Sequence, residues 1–170
     1  PERSHASSLG HMHRLETLHL NRNTLQGRIP SFANCSKLKE LDVSVNNLVG
    51  RIPVDLPPRH LQVLQVSANN LTGTIPTSLV NITTLTRINC ENNHIKGNIP
   101  SEFAELTNLQ HMCVSANQLS GRFPHAILNL STLIGLDLGP NGLSGEVPPN
   151  LCSSLPNLQI LLLGGNFFLG

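Results

Sequence analysis

Leu64-Gln65-Val66-Ser67-Ala68-Asn69-Asn70-Leu71-Thr72-Gly73-Thr74-Ile75-Pro76 is the stretch that decides the fold of this chain. Leu64 and Val66 alternate with polar Gln65 and Ser67, the period-two pattern of a short strand with one buried face. A bend follows at Asn69, then a buried position at Leu71, a turn at Gly73 and a break at Pro76. One such stretch is a weak signal, and recurrence makes it a strong one. The frame of apolar, any, apolar, any, any, Asn appears seven times, ending at Asn23, Asn46, Asn69, Asn93, Asn117, Asn141 and Asn166. These asparagines are separated by 23, 23, 24, 24, 24 and 25 residues.

A period in this range with this pattern marks leucine-rich repeats, stacked into a solenoid in which each turn buries its apolar side chains against its neighbours. The inward pairs are Leu18/Leu20, Leu41/Val43, Leu64/Val66, Ile88/Cys90, Met112/Val114, Leu136/Leu138 and Leu161/Leu163. Strands one repeat apart stack about 4.8 Å from one another in a parallel sheet. That sheet packs more tightly than the bulkier return segments and so forms the concave wall. The expected fold class is an α/β-type right-handed superhelix with one short parallel strand per repeat on the concave face. Its return segments on the convex face are 3₁₀, short-helical or irregular.

After each bend comes Gly and an Ile–Pro-like pair, from Gly27-Arg28-Ile29-Pro30 to Gly145-Glu146-Val147-Pro148. Gly tolerates a positive φ, and Pro cannot donate into a ladder, so this segment steers the chain off the sheet. Phe32, Leu79, Phe103, Ile127 and Leu151 then supply one more core contact per turn. The seven asparagines read as a structural ladder. Each short side chain carries one acceptor and two donors that can pair with backbone groups left over at the bend. Residues 1–14 read as the tail end of a truncated repeat. Residues 15–170 read as seven repeats without caps, the last one truncated.

Composition narrows the function. Charged residues make up 12% of the 170, and the net charge is +1, which leaves no footprint for nucleic acid or an anionic membrane surface. No apolar run approaches the roughly 18 residues of a spanning helix. The chain begins Pro1-Glu2-Arg3, without an apolar leader, and reads as a piece of a longer protein. Cys35, Cys90, Cys113 and Cys152 lack zinc spacing. They read as four unrelated thiols, with a single disulfide as the alternative. His11, His13 and His19 belong to different faces, so no metal site is expected. Asp42, Ser44 and His19 share a flat open face without oxyanion donors. Phosphate loops and kinase motifs are absent. The chain reads as a non-enzyme without a cofactor.

Recognition remains. The outward strand positions vary in chemistry from repeat to repeat while the core stays constant, which is how a rigid scaffold displays a binding surface. The ligand-binding candidates on this face are His19, Asn21, Glu40, Asp42, Gln65, Arg87, Asn89, Glu91, His111 and Asp137. Glu40 and Asp42 lie two repeats from Arg87, and polarity falls towards Ile160–Leu162, a pattern suited to a peptide with a basic and an apolar end. Four N-x-[ST] sequons make Asn34, Asn70, Asn81 and Asn129 candidates for N-glycosylation. Three of them (Asn34, Asn81 and Asn129) fall on the return arc, clear of the concave wall, which favours secretion.

The full frame, with its Gly-x-Ile-Pro portion, resembles plant-type extracellular leucine-rich repeats from Ser8 to Gly170. Leu48-Val49-Gly50-Arg51-Ile52-Pro53 and Asn129-Leu130-Ser131-Thr132-Leu133 are similar to the wording of large grass receptor-like kinases of the bacterial-blight immune receptor type. The resemblance implies a fragment of a receptor ectodomain, at the outer face of the plasma membrane, whose parent carries one membrane helix and a serine/threonine kinase. The implied partners are a peptide or protein ligand and a co-receptor ectodomain, with no nucleic acid and no direct membrane contact by this segment. A secreted binder of the same repeat class, such as an inhibitor of a cell-wall polygalacturonase, is the alternative.

Overall fold

The computed structural model describes residues 12–57 and 59–169, so most of the tail assigned to residues 1–14 lies outside the described residues. Seven three-residue strands form one parallel sheet in the order of the repeats. They are β1 (Thr17–His19), β3 (Glu40–Asp42), β5 (Val63–Gln65), β7 (Arg87–Asn89), β9 (His111–Cys113), β11 (Gly135–Asp137) and β13 (Ile160–Leu162). Register follows directly from repeat length. Leu18, Leu41, Leu64, Ile88, Met112, Leu136 and Leu161 pair along one line. A one-residue slip would turn every core residue outward, so the alternating pattern fixes the pairing. All seven are buried except Leu161, which sits on the edge strand. Fully burying a leucine of this kind is worth about 1.5–3 kcal/mol, and each repeat contributes several.

The segment that follows each ladder asparagine does more than bend. It builds a second set of parallel strands where the sequence pattern shows only a turn. One set is β2 (Gln26–Arg28), β4 (Asn47–Gly50) and β6 (Asn70–Leu71). The other is β8 (Lys96–Gly97), β10 (Gln118–Arg122), β12 (Gly142–Glu146) and β14 (Phe167–Leu169). The six glycines of the Gly-x-Ile-Pro motif all have positive φ, from +83° to +94°. At Gly73 space is tight too, because an added Cβ would lie 2.9 Å from Cγ of Arg51, which would have to shift. The apolar residue before each proline is buried in the first five of these segments, at Ile29, Ile52, Ile75, Ile99 and Phe123.

Beyond proline, 3₁₀ turns at Thr77–Asn81, Ser101–Glu105 and His125–Asn129 insert Leu79, Phe103 and Ile127 into the core. A short helix, α1 (Leu151–Ser154), does the same with Leu151. In the first repeat Phe32 is buried from a turn that forms no helix.

The ladder asparagines tie successive turns together. Asn69 accepts the Leu48 N–H at 3.0 Å, and its amide nitrogen donates to the carbonyls of Val43, Val66 and Ser67 at 3.1–3.2 Å. Asn46, Asn93 and Asn117 repeat all four bonds. A feature absent from the sequence reading precedes them. Arg22, Val45, Ala68, Asn92 and Ala116 all have φ between +50° and +56°, a left-handed conformation that L-residues rarely adopt. In the last repeat Gly165 takes the place at +73°.

Candidate ligand-recognition wall

The outward side chains of the seven-stranded sheet fall into rows because the strands are in register. One row runs Glu40, Val63, Arg87, His111, Gly135, Ile160, and the next runs His19, Asp42, Gln65, Asn89, Cys113, Asp137, Leu162. Asn21 and Glu91 stand two residues beyond their strands. All ten candidate residues therefore lie on one face, but they are not equally available to a ligand.

Asp42 is only 8% exposed, and its Oδ1 accepts both the N–H of Ser44 at 2.9 Å and the Ser44 hydroxyl at 2.6 Å. Its carboxylate closes the bend and does not stand free, unlike the sequence expectation that paired it with Glu40. The same local bond recurs at Asn89, which accepts the Glu91 N–H at 3.0 Å, and at Asp137, which accepts the Gly139 N–H at 2.9 Å. A short polar side chain at the end of a strand captures the amide two residues on, so these positions serve the fold as well as the surface. Glu40 pairs instead with His19, Nε2 to Oε2 at 3.1 Å.

His111 lies over Gly135, with Nδ1 only 2.9 Å from where a Cβ would sit there. Burial and the neighbouring Arg87 guanidinium both hold its pKa below the usual histidine value. Gln65, Arg87 and Glu91 face solvent without an ion pair among the described residues.

The wall changes character near its far end. Cys113 and Ser115 both donate to Oδ2 of Asp137, at 3.3 and 2.8 Å. Burial pushes the Cys113 thiol up to about 11, and Ser115 only partly offsets this. Cys90, on the core side, is pushed by burial to about 12. Neither is a reactive thiolate at neutral pH. Glu91, Ser115, Asp137, Pro140 and Leu162 border a shallow cavity of about 600 Å³. Gly139 and Gly164 contribute its floor without side chains. Ile160 and Leu162, each 51% exposed, supply apolar surface beside it.

The sequence reading missed the origin of this hollow. Pro140 occupies the place that is left-handed in the other bends, and proline can neither take that φ nor donate an N–H. Elsewhere the bend is closed by Arg22, Val45, Ala68 and Asn92 donating to the carbonyls of Ser44, Ser67, Glu91 and Ser115. Among the described residues no such bond joins Ala116 to Gly139, whose carbonyl accepts from Asn166 instead.

The four sequon asparagines are all exposed, with Asn34, Asn81 and Asn129 on the return arc and Asn70 on β6. Among the described residues no three His, Cys, Asp or Glu side chains converge on a point, and His11 lies outside them. No helix in the described residues is long and apolar enough to cross a membrane.

Comparison with known proteins now fits this geometry. The family described as "Leucine rich repeat" matches residues 59–119, and "Leucine Rich repeats (2 copies)" matches 13–58. The chain is a leucine-rich repeat solenoid. Among solved structures this solenoid is similar to the plant peptide hormone receptor RGFR1 in complex with RGF2, at TM-score 0.91 and 34% identity, over 95% of this chain and 26% of that one. It is similar to PEPR1 bound to AtPEP1, at TM-score 0.90 and 36% identity, over 95% and 23%. The Arabidopsis receptor kinase HAESA, in complex with the peptide hormone IDA and the co-receptor SERK1, gives 0.85 and 33% over 91% and 26%. The solenoid thus spans about a quarter of the length of these receptors. No curated protein matches it in sequence.

Proposed function

We propose that the solenoid is a ligand-recognition segment in the extracellular part of a plant membrane receptor-like serine/threonine kinase, serving peptide or immune signalling. The observation that carries this reading is the likeness of the whole repeat stack to receptor ectodomains solved with peptide ligands, at 33–36% identity. The sequence wording at Leu48–Pro53 favours a parent of the grass immune-receptor type. The wall supports the reading physically, since its core-facing residues repeat while its outward residues differ from strand to strand.

The ligand in this reading is a protein or an extended peptide lying across the strands. Glu91 offers an exposed carboxylate to its basic residues and Glu40 one that it shares with His19, and the hollow beside Pro140 and Leu162 accepts an apolar side chain. Arg87, His111 and Gln65 contact the segment between. A long cationic side chain would rest its methylenes on Leu162 and Pro140 while its head reaches Glu91 or Asp137. Co-receptor contact, and sugars at Asn34, Asn70, Asn81 and Asn129, belong to the same proposal. The two architectural units, residues 1–14 and 15–170, are then consecutive parts of one longer array.

Selection of binders from a random peptide library on the immobilised chain tests it. Binders enriched in a basic residue near an aliphatic one, and lost with Arg87→Ala or Glu91→Ala, are expected. Binders indifferent to both substitutions but sensitive to changes on the return arc would overturn the assignment to the wall.

A further inference from the structure

We infer that Arg28 and Arg51, on the flank built by the second set of strands, form a binding site for a tetrahedral oxyanion of the sulfate or phosphate class carried on an apolar group. The two residues hold the same place in successive repeats, Gly27-Arg28 and Gly50-Arg51, with the strand register setting Arg28 opposite Val49, two residues before Arg51. Their stems are held. Cγ of Arg28 lies 3.0 Å from where Gly50 would carry a Cβ, and Cγ of Arg51 lies 2.9 Å from the equivalent point on Gly73. Each arginine thus lies flat over the glycine of the next repeat, and both extend in the same direction.

Among the described residues neither guanidinium has an ion pair or a hydrogen bond, although each presents five donors in a planar fork suited to oxyanions. Both border a groove of about 570 Å³. Ser31 adds a third donor there, because its Oγ accepts the Ala33 N–H at 3.3 Å and its O–H remains to donate. Val54, 69% exposed, gives the groove an apolar side. Asp55 is the one carboxylate in the lining and opposes an anion. The fold also contains its own control. Arg122 covers Gly145 in the same way, but its neighbours in this row are Asn98 and Glu146, so no second cation stands beside it.

Titration of the full chain with phenyl sulfate and with phenyl phosphate, followed by NMR of the arginine Nε–H groups, tests the site. Saturable shifts confined to Arg28 and Arg51 are expected, with sodium chloride at matched ionic strength producing none. Arg28→Gln or Arg51→Gln should weaken binding on the order of ten-fold, as for loss of charge-assisted hydrogen bonds. Asp55→Asn should tighten it about two-fold or more by removing a like charge. Arg122→Gln should leave it unchanged. The tighter of the two esters identifies which oxyanion the site prefers. Shifts that follow ionic strength alone, or equal losses in the Arg122 and Arg51 variants, would overturn the site. Inorganic sulfate binding as tightly as phenyl sulfate would overturn its apolar side.

Discussion

Two bends of the solenoid, at Asn69 and at Asn141, start from the same six-residue frame and end differently. At the first, Ala68 takes the left-handed conformation and donates to Glu91, and Asn69 makes four side-chain bonds while being only 8% exposed. At the second, Pro140 stands in the left-handed place, and Asn141 makes three bonds, to the Leu119 N–H and to the carbonyls of Val114 and Leu138. The first bend is a finished piece of scaffold. The second leaves a hollow on the wall, bordered by an acid and an apolar edge. Repetition builds the fold, and a local departure from it builds a place for something else to bind.

The contrast is most exposed to failure at the asparagines themselves. Asn69→Ala should cost about 2–3 kcal/mol, since several buried backbone groups lose their partner, and Asn141→Ala only about 1–2 kcal/mol. Urea midpoints of the two variants measure the difference, and equal losses would erase the distinction between the bends. Glycine at the following turn gives a smaller, cleaner pair. Gly73→Ala and Gly27→Ala both force an L-residue to a φ near +85°, a cost of about 1–2 kcal/mol each. Only at Gly73 does the new Cβ also meet Arg51, while nothing lies within 4 Å at Gly27, so Gly73→Ala should be worse by about 1 kcal/mol.

Most of the fold was legible because its signal is periodic. Leu18 through Leu161 could be placed in register from spacing alone, and the inward asparagines followed from the bend they close. The second strands were not legible, since the segment after each ladder asparagine reads as a bend and a turn, and the ladder at Gln118–Arg122 exists only because neighbouring repeats carry the same segment. Nor was the left-handed position visible, because Arg22, Val45, Ala68, Asn92 and Ala116 share no chemistry; the backbone path imposes φ on whatever stands there. On the wall, Glu40, Arg87 and Glu91 could be picked out as outward charges. That Asp42 is consumed by Ser44 depends on a two-residue hydrogen bond that no alternation pattern reveals. Pro140 was in plain view, but its meaning required knowing what conformation it displaces.

Val45 offers the next test of the comparison, because a β-branched residue in the left-handed region is strained. Val45→Asn keeps the N–H donated to Ser67 and should stabilise by about 0.5–1 kcal/mol, read as a rise in the urea midpoint. A loss would mean that the bend does not carry this strain. A further test is kinetic. Under native conditions the Ala68 amide, bonded to Glu91, should exchange with deuterium at least about ten-fold more slowly than the Ala116 amide beside Pro140. Equal protection would show the second bend to be as closed as the first.

The central claim is that the inward row holds the solenoid while the outward wall is free to vary. Urea unfolding of the combined variant Gln65→Ala, Arg87→Ala, Glu91→Ala, set beside Asn69→Ala, tests it most directly. The wall variant should stay within about 1 kcal/mol of the parent, because exposed side chains without ion pairs contribute little to stability. Asn69→Ala alone should lose two to three times that. A wall variant as unstable as Asn69→Ala would contradict the separation of scaffold from recognition surface.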